Sequence, residues 1–315
     1  MAKRKYNIGV DVGGTFIKLG IVDEKGTIIA RHKIKTQREL GSETIIKSIN
    51  DNIQILLKAS GLDISFILNI GMGFPGTTDS EKGFVVYAPN LFWKDVEVVQ
   101  AIQREYLVPV FIGQDSRAAA WGEYLVGSGK GYNHIACITL GTGIGCGLIV
   151  DRKIYHGGFL SAGEFGHQIV EDKGEKCNCG RHGCLEAYTG GPAIIREANK
   201  IPNICSLIDK PANELTVSDV FILADQGNPQ AIDIVRSFVK YLGIGLVNLI
   251  NLNSPELISI SGGISNAPDH LLLDPLVKFI RNRAYSIVSD KVKIVKSMLG
   301  DDAPLIGAAM LFLNK

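Results

Sequence analysis

The chain has 315 residues, of which 46% are hydrophobic and 21% charged, and its formal net charge is +1. This balance is typical of an ordinary globular protein, and the absence of a basic block argues against nucleic-acid binding through a broad electrostatic patch. No apolar run approaches the roughly 18–20 residues that span a bilayer. The N-terminus is basic, but Asp11 soon interrupts the apolar run after it, which is not typical of a signal peptide. We therefore expect a cytoplasmic protein without membrane partners, long enough for two domains.

Two similar strand–turn–strand patterns occur along the chain. Tyr6–Val12 predicts a short buried strand, a glycine turn follows, and residues 16–22 predict a second strand. Residues 135–151 (IACITLGTGIGCGLIVD) repeat this order about 128 residues later. The match is short, yet two glycine-turn hairpins that open two halves of the chain indicate a duplicated domain.

Helical periodicity follows each hairpin, over residues 45–57 and again over residues 231–246. Further apolar runs predict strands over residues 69–73, 108–112 and Leu257–Ser261. Because strands alternate with helices, the sequence predicts an α/β protein. A last helix, predicted over residues 304–313, is expected to return to the first half.

Three glycine turns offer backbone N–H groups to an anion. The first is preceded by Asp11, a carboxylate suited to hold a metal-bound water, and is followed by Lys18, a candidate phosphate contact. None matches the Walker pattern or the dinucleotide fingerprint, and a single turn of this kind is more often a tight hairpin. Together they predict a nucleotide cleft between two lobes, with candidate residues Asp11, Gly13, Gly14, Thr15, Lys18, Gly141, Thr142, Gly143, Gly262 and Gly263.

Three cysteines lie within eight residues, in the order Cys177, Cys179 and Cys184. Glycines within the segment permit the tight turns that aim three sulfur atoms at one point. With one histidine they complete the tetrahedron of a structural zinc site, and both His167 and His182 are available. A disulfide is disfavoured by the expected compartment and the odd count, and a redox site would more plausibly use Cys-x-x-Cys. An iron–sulfur cluster would need a fourth cysteine.

These motifs together resemble the ROK family of sugar kinases, within the actin/hexokinase/Hsp70-like fold. The resemblance covers essentially the whole chain and rests on residues 11–15 (DVGGT), 73–79 (GFPGTTD), 88–91 (APNL), 114–123 (QDSRAAAWGE), 140–145 (LGTGIG), 164–167 (EFGH), 177–186 (CNCGRHGCLE), 261–264 (SGGI) and 304–309 (PLIGAA). It implies a two-lobed, duplicated ribonuclease H-like fold with an interlobe cleft. It also implies transfer of the ATP γ-phosphoryl group to a hexose hydroxyl with Mg²⁺, in a homodimer or larger homo-oligomer.

The resemblance assigns roles to individual side chains. The catalytic base is Asp115, whose alternative role is an N-cap for the helix predicted over residues 116–126. His167 becomes the fourth ligand of the zinc with Cys177, Cys179 and Cys184, and could hold a sugar hydroxyl through its other ring nitrogen. The sugar contacts are Gly76, Asn90, Gln114, Asp115, Glu164, His167 and Glu186.

Two glutamines stand out against the family pattern. Gln114 occupies the position before the base where the family usually has Asn, so the amide is kept on a side chain one methylene longer. This departure leaves the identity of the sugar open. Gln168 follows EFGH where an apolar residue is more usual, and it could reach the sugar, support the site or lie at a surface.

The predicted division is a small lobe of residues 1–117 plus 303–315 and a larger lobe of residues 118–302 that carries the zinc site. The leading hypothesis is conversion of glucose to glucose 6-phosphate, and the alternatives are N-acetylmannosamine, fructose or another hexose. The family also contains sugar-responsive repressors with an N-terminal helix-turn-helix region. Here the first hairpin begins about ten residues into the chain, and we expect no such region.

Overall fold

The computed structural model describes residues 5–314. Its thirteen strands are β1 Tyr6–Val12, β2 Phe16–Asp23, β3 Ile28–Lys35, β4 Ile67–Phe74, β5 Thr77–Asp79, β6 Phe84–Ala88, β7 Trp93–Glu97, β8 Val110–Gln114, β9 Ile135–Leu140, β10 Ile144–Val150, β11 Lys153–Ile154, β12 Leu257–Ser261 and β13 Lys293–Lys296.

The eleven α-helices of the same residues are α1 Gly41–Ser60, α2 Val99–Gln103, α3 Asp115–Val126, α4 Glu186–Thr189, α5 Gly191–Ala198, α6 Ile204–Ile208, α7 Val217–Asp225, α8 Pro229–Asn253, α9 Leu273–Arg281, α10 Ser286–Ser289 and α11 Ala303–Ala309. Two short 3₁₀ turns matter below, Pro89–Leu91 and Phe165–His167. Within residues 5–314, no helix combines the length and the apolar character needed to cross a membrane.

Two five-stranded sheets repeat one topology, in the orders β3-β2-β1-β4-β8 and β11-β10-β9-β12-β13. In each sheet an antiparallel hairpin is followed by strands that pair in parallel, β1 with β4 and β9 with β12. The repetition confirms the duplicated α/β fold that the two glycine-turn hairpins predict. A third sheet, β5-β6-β7, extends the first half.

The described residues form two compact units, the first of residues 5–133, 147–162 and 301–314 and the second of residues 134–146 and 163–300. In the first unit, α1 packs its buried face, including Ile45, Ile49 and Ile53, into the core beneath β1 and β4. In the second unit, α8 is the longest helix and buries Phe238, Leu242 and Leu246.

The sequence-based boundary at residue 117 differs from this division, which keeps all of α3 in the first unit. The physical reason is the packing of α3 on α11. A side chain on Gly307 of α11 would overlap the carbonyl oxygen of Ala118 on α3, so the two helix backbones touch directly. The predicted final helix is shorter than expected, since α11 ends at Ala309 and a 3₁₀ turn forms Leu311–Leu313.

Candidate active site

The predicted residues of the first unit gather at the carboxyl ends of three parallel strands. Asp11 at the end of β1 pairs in register with Gly73 of β4, and Gly73 pairs with Gly113 of β8, directly before Gln114 and Asp115. One strand separates the two aspartates, so their backbones lie about 10 Å apart at the usual strand spacing. The carboxyl-end edge of a parallel sheet is where α/β proteins place ligands.

The first glycine turn is held by a hydrogen bond within its own hairpin and by two hydrogen bonds from Thr36, which follows β3. Gly13 N–H donates to Phe16 O at 2.9 Å, Thr36 N–H donates to Thr15 O at 3.0 Å, and Thr36 Oγ1 donates to Gly13 O at 2.6 Å. A Cβ on Gly14 would lie 3.6 Å from Asn90 O, so the 3₁₀ turn that carries Asn90 packs beside this loop. The predicted phosphate turn and one predicted sugar residue are thereby neighbours.

Asp11 pairs with Lys18, whose Nζ lies 3.6 Å from Asp11 Oδ2 and donates to Asp301 O at 3.2 Å. Burial raises the pKa of the Asp11 carboxyl above its ordinary value, and the neighbouring Lys18 opposes this effect. A carboxylate in so little water is stabilised by any further cation. Asp11 therefore suits a metal ion or its bound water, and the Lys18 side chain lies beside it at the first glycine turn.

Asp115 is the first residue of α3, and Gln114 occupies the N-cap position. The capping alternative for Asp115 is therefore not what the structure shows, although its Oδ1 accepts the N–H of Ser116 at 2.6 Å. The positive end of the 12-residue helix favours the ionised carboxylate. This geometry is suited to a base.

The side chain of Gln114 is buried, and its Oε1 has no hydrogen-bond partner among residues 5–314. A buried amide oxygen without a donor is costly, so the position is suited to a ligand that brings a hydroxyl group. Gly76 also has a backbone constraint, because its φ of +87° and the nearby carbonyl oxygen of Tyr87 exclude a side chain.

In the second unit, the other two glycine turns lie at the carboxyl ends of β9 and β12, which pair in parallel through Thr139 and Ser261. Gly262 has a φ of +87°, and a Cβ there would overlap the carbonyl oxygen of Leu140. Only glycine fits where the two strand ends approach each other.

A cavity of about 600 Å³ opens between these two turns, within the size range of small-molecule sites. Its polar end is formed by Gly141, Thr142 and Gly263. The rest of its wall is mainly apolar and comes from α5, α7 and the segment after Gly263: Pro192, Ile195, Leu215, Val217, Phe221, Ile222, Ile264, Ala267 and Pro268. Glycine backbone at one end and apolar side chains elsewhere suit a nucleotide, with phosphates at the turns and the base between the helices.

The sequence predicts the glycine turns of this cavity but not the apolar residues that line the rest of it. Ile195 and Phe221 read as ordinary core residues of amphipathic helices, and the sequence carries no signal that α5 and α7 flank a cavity instead of closing on each other. Proline and glycine at the start of α5 mark a helix beginning and do not reveal its ligand.

The four predicted zinc ligands come together in the second unit. The ligand atoms of His167, Cys177, Cys179 and Cys184 all lie within 4.8 Å of one another. His167 Nδ1 is 3.7 Å from Cys177 Sγ, and Cys179 Sγ is 3.6 Å from Cys184 Sγ. Tetrahedral bonds to zinc of ordinary length would place such atoms about 3.5–3.8 Å apart, so the residues fit this ion.

The protonation of the cluster also favours a cation. Desolvation raises the pKa of Cys184 to about 12 and raises the pKa of Cys177 above its ordinary value. Both thiols are therefore protonated at neutral pH unless a positive ion stabilises their thiolates. For Cys177 and Cys184 this argues against a reactive thiol. At the exposed Cys179 desolvation is outweighed by hydrogen bonds, including one from the Arg181 backbone, so the pKa of that thiol lies below its ordinary value.

The second candidate histidine lies outside the cluster. His182 Nδ1 is 3.1 Å from Gly174 O, whereas His167 ends the 3₁₀ turn that begins after Glu164. The Nε2 atom of His167 lies 4.0 Å from Glu164 Oε2, on the side of the ring opposite the sulfur atoms. One ring nitrogen thus faces the cluster and the other faces a predicted sugar carboxylate.

Glu186 begins α4, two residues after Cys184, and its Oε2 accepts the N–H of Ile144 at 2.9 Å. The family resemblance assigns this carboxylate to the sugar, and it does not predict the hydrogen bond to the second glycine turn. Gln168 points toward α8: its Nε2 donates to Phe165 O at 3.0 Å and its Oε1 accepts from Asn248 Nδ2 at 3.1 Å. Its side chain therefore supports the turn that carries His167.

Known proteins resemble this chain over nearly its whole length. The model of the ROK family matches residues 7–315. The chain belongs to the ROK family. Within it, a glucokinase of Streptomyces coelicolor is 34% identical over 316 residues, which are 96% of each chain. A crystal structure of a ROK family glucokinase from Streptomyces griseus, in complex with glucose and AMPPNP, is 34% identical with a TM-score of 0.83, over 97% of this chain and 98% of that one.

The family likeness extends to regulators. The xylose repressor of Bacillus subtilis is 29% identical over 99% of this chain and 78% of its own length. The ROK fold therefore occurs in both sugar kinases and sugar-responsive repressors, and the assignment of activity rests on the residues of the site.

Proposed function

We propose that this ROK protein is an ATP-dependent sugar kinase that converts glucose to glucose 6-phosphate. The observation that carries the proposal is the edge of the first sheet, where Asp115 begins α3 beside the buried amide oxygen of Gln114, which has no hydrogen-bond partner among residues 5–314. A base and an unsatisfied acceptor at one strand end suit a polyhydroxylated substrate that must lose a proton. The likeness to glucokinases over nearly the whole chain supports the same activity.

In the proposed reaction, a hydroxyl oxygen of the sugar attacks the γ-phosphorus of ATP. The bond from this phosphorus to the β–γ bridging oxygen breaks, ADP leaves, and the hydroxyl proton passes to Asp115. The family resemblance assigns the sugar to Asn90, Gln114, Glu164, His167 and Glu186. Because such transfer depends mainly on positioning and electrostatics, these groups orient the hydroxyl and exclude water.

The phosphates are assigned to the glycine turns, and the base of the nucleotide to the apolar cavity of the second unit. A magnesium ion on the phosphates would supply charge neutralisation. The Asp11 carboxylate is suited to hold that ion or its water, because burial leaves it in need of a cation.

We assign structural zinc to the cluster of His167 and the three cysteines. A closed set of four protein ligands leaves no position for water, so its role is to hold the loop and His167 in place. Zinc thiolates and ATP both suit the cytoplasm, where thiols stay reduced. The family resemblance further predicts a homodimer or larger assembly, which light scattering of the purified protein would test.

The proposal is tested by following ADP release with glucose, fructose, N-acetylmannosamine and other hexoses. We expect glucose to be the best substrate. In Asp115→Asn, kcat should fall by about 10²–10⁴ because the base is lost, while glucose affinity and melting temperature stay close to those of the parent chain. ADP release by the variant at near-normal rates would remove Asp115 as the base. If the parent chain released no ADP with any sugar of the panel but bound an operator DNA specifically, the repressor class would replace the kinase class.

A further inference from the structure

The carboxylate of Glu186 sits in a niche formed by two stretches of glycine-containing backbone. Its Oε2 accepts the Ile144 N–H, and a Cβ on Gly143 would lie 2.6 Å from the same oxygen. A Cβ on Gly166, within the EFGH turn, would lie 3.4 Å from it. Two positions without side chains thus make room for one carboxylate between the second glycine turn and the turn that carries His167.

The helix that Glu186 begins contacts the second glycine turn at its other end as well. Gly191 N–H, just after α4, donates to Gly141 O at 2.8 Å. A Cβ on Gly190 would approach Thr142 O to 3.0 Å. The backbone of residues 141–144 is therefore bonded on both sides to the short segment 186–191, which follows directly on the cysteine cluster.

These contacts bear on nucleotide binding because the same turn forms the polar end of the 600 Å³ cavity through Gly141 and Thr142. Ile144 is buried, and removal of the Glu186 side chain would take away the acceptor that its N–H has in this structure. An unpaired buried donor is costly, and the turn would relax to satisfy it. The position of the turn, and with it the phosphate-binding backbone, depends on the Glu186 carboxylate.

We propose that Glu186 is a positioning residue for the nucleotide as well as a contact for the sugar, and that it couples the affinities for the two substrates. An ionised carboxylate has two oxygens and accepts several hydrogen bonds, so a sugar hydroxyl and the Ile144 N–H can share it. A sugar that orders the Glu186 carboxylate also orders the second glycine turn and so raises the affinity for the nucleotide. By linkage, bound nucleotide raises the affinity for the sugar by the same factor. This inference rests on the proposed function for its sugar half only.

The test is calorimetric titration of the full chain with Mg²⁺–AMPPNP, first without sugar and then with saturating glucose. Glu186→Ala should weaken nucleotide binding about tenfold without sugar, since one hydrogen bond to a charged acceptor is lost. Glu186→Gln keeps an acceptor oxygen at the same reach and should stay within about threefold of the parent chain. Glu186→Asp, which is too short to reach Ile144, should resemble Glu186→Ala.

Glu164→Ala is the matched control, because Glu164 is also assigned to the sugar but makes no bond to residues 141–144 in the described structure. It should weaken glucose binding and leave the sugar-free nucleotide affinity unchanged. In the parent chain we expect glucose to tighten AMPPNP binding severalfold, and this gain should disappear in Glu186→Ala.

Equal sugar-free nucleotide affinity in the parent chain and Glu186→Ala would overturn the inference. If the alanine variant fails to fold, as judged by its melting temperature, the aspartate and glutamine variants decide instead, and equal nucleotide affinities of those two would overturn it. A parent chain that binds AMPPNP but phosphorylates no sugar would refute the proposed function while the sugar-free titrations still test the contact. A parent chain that binds no AMPPNP would overturn both.

Discussion

Asp11, which we propose holds a metal ion or its water, lies in an unfavourable environment for its charge. Its carboxyl is desolvated at the end of β1, and the ion pair with Lys18 compensates only in part, so its pKa lies above the ordinary value of 3.8. A raised pKa in the folded state means that the acid contributes most to stability below its unfolded pKa, and that this contribution is lost as the pH rises through the folded value. At pH values above its folded-state pKa, the ionised Asp11 therefore destabilises the fold.

Replacement of this side chain separates stability from activity. Asp11→Asn should raise the free energy of unfolding at pH 7 by up to about 1 kcal/mol, because a desolvated charge is removed. The difference from the parent chain should shrink as the pH is lowered through the folded-state pKa of Asp11, because the carboxyl then becomes protonated in the folded state. Phosphoryl transfer should fall at least about 100-fold, since the cation-binding oxygen is lost. Urea denaturation at several pH values and the ADP assay measure both effects, and a variant less stable than the parent chain at pH 7 would contradict the argument.

Gln114 and Asp115 show what residue-level reasoning can predict. The helical pattern predicts a helix start here, and the family resemblance assigns both residues to the site. The structure places Gln114 at the N-cap and Asp115 at the first position of α3. The sequence could not show that the Gln114 amide oxygen is buried without a hydrogen-bond partner in the described part of the chain, because burial at the end of β8 depends on the packing of neighbouring elements.

At the scale of elements, the loop from Phe165 to Glu186 is organised by side chains more than by regular structure. The spacing of its three cysteines and the glycines between them predict metal ligands. The spacing does not choose between His167 and His182, because both lie a few residues from a cysteine. The structure turns His167 toward Cys177 and leaves His182 against the carbonyl oxygen of Gly174.

Replacement of one cysteine ligand should show that the stability of the loop depends on bound zinc. Cys184→Ser should lower zinc content from about one ion per chain to well below one and lower the melting temperature by several degrees, because a buried cluster loses its cross-link. Glucose affinity should also fall, since His167 is no longer held. Cys205→Ser, an exposed cysteine away from the cluster, is the matched control and should change none of these values.

Elemental analysis, thermal unfolding and glucose titration are the measurements for this pair of variants. A Cys184→Ser protein that keeps its zinc, or a parent chain that is stable and active without zinc, would contradict the assignment. Unchanged glucose affinity after zinc loss would break the link through His167 while leaving the structural role intact.

At the scale of the whole molecule, the division of the first unit depends on close backbone contacts that apolar periodicity does not reveal. Gly307 of α11 lies against Ala118 of α3, and Gly9 of β1 lies against the carbonyl oxygen of Leu305. Small residues at these positions let α11 pack against α3 and β1 of the first unit, although these elements are far from α11 in sequence. The boundary predicted at residue 117 does not take this contact into account, because a glycine in a helical pattern does not indicate which element packs against it.

Substitution at this contact should destabilise the fold. Gly307→Ala should lower the free energy of unfolding by about 2–4 kcal/mol, because its Cβ would overlap the Ala118 carbonyl oxygen and force α3 and α11 apart. Gly158→Ala, where a Cβ meets no atom within 4 Å, is the matched control and should change stability by less than about 0.5 kcal/mol. Urea denaturation of both variants measures the difference, and equal stabilities would contradict the packing argument.

The sequence alone predicted the α/β class, the duplicated hairpins, the three glycine turns and the cysteine cluster. These features follow from local rules, since strand period, turn chemistry and ligand spacing are written in adjacent residues. The tertiary structure decided which glycine turns share a cavity, which histidine joins the cysteines and which helix packs against α3. It also revealed that Glu186 reaches Ile144, 42 residues away in sequence. These contacts join segments distant in the chain, and only the packing of strands and helices brings them within bonding distance.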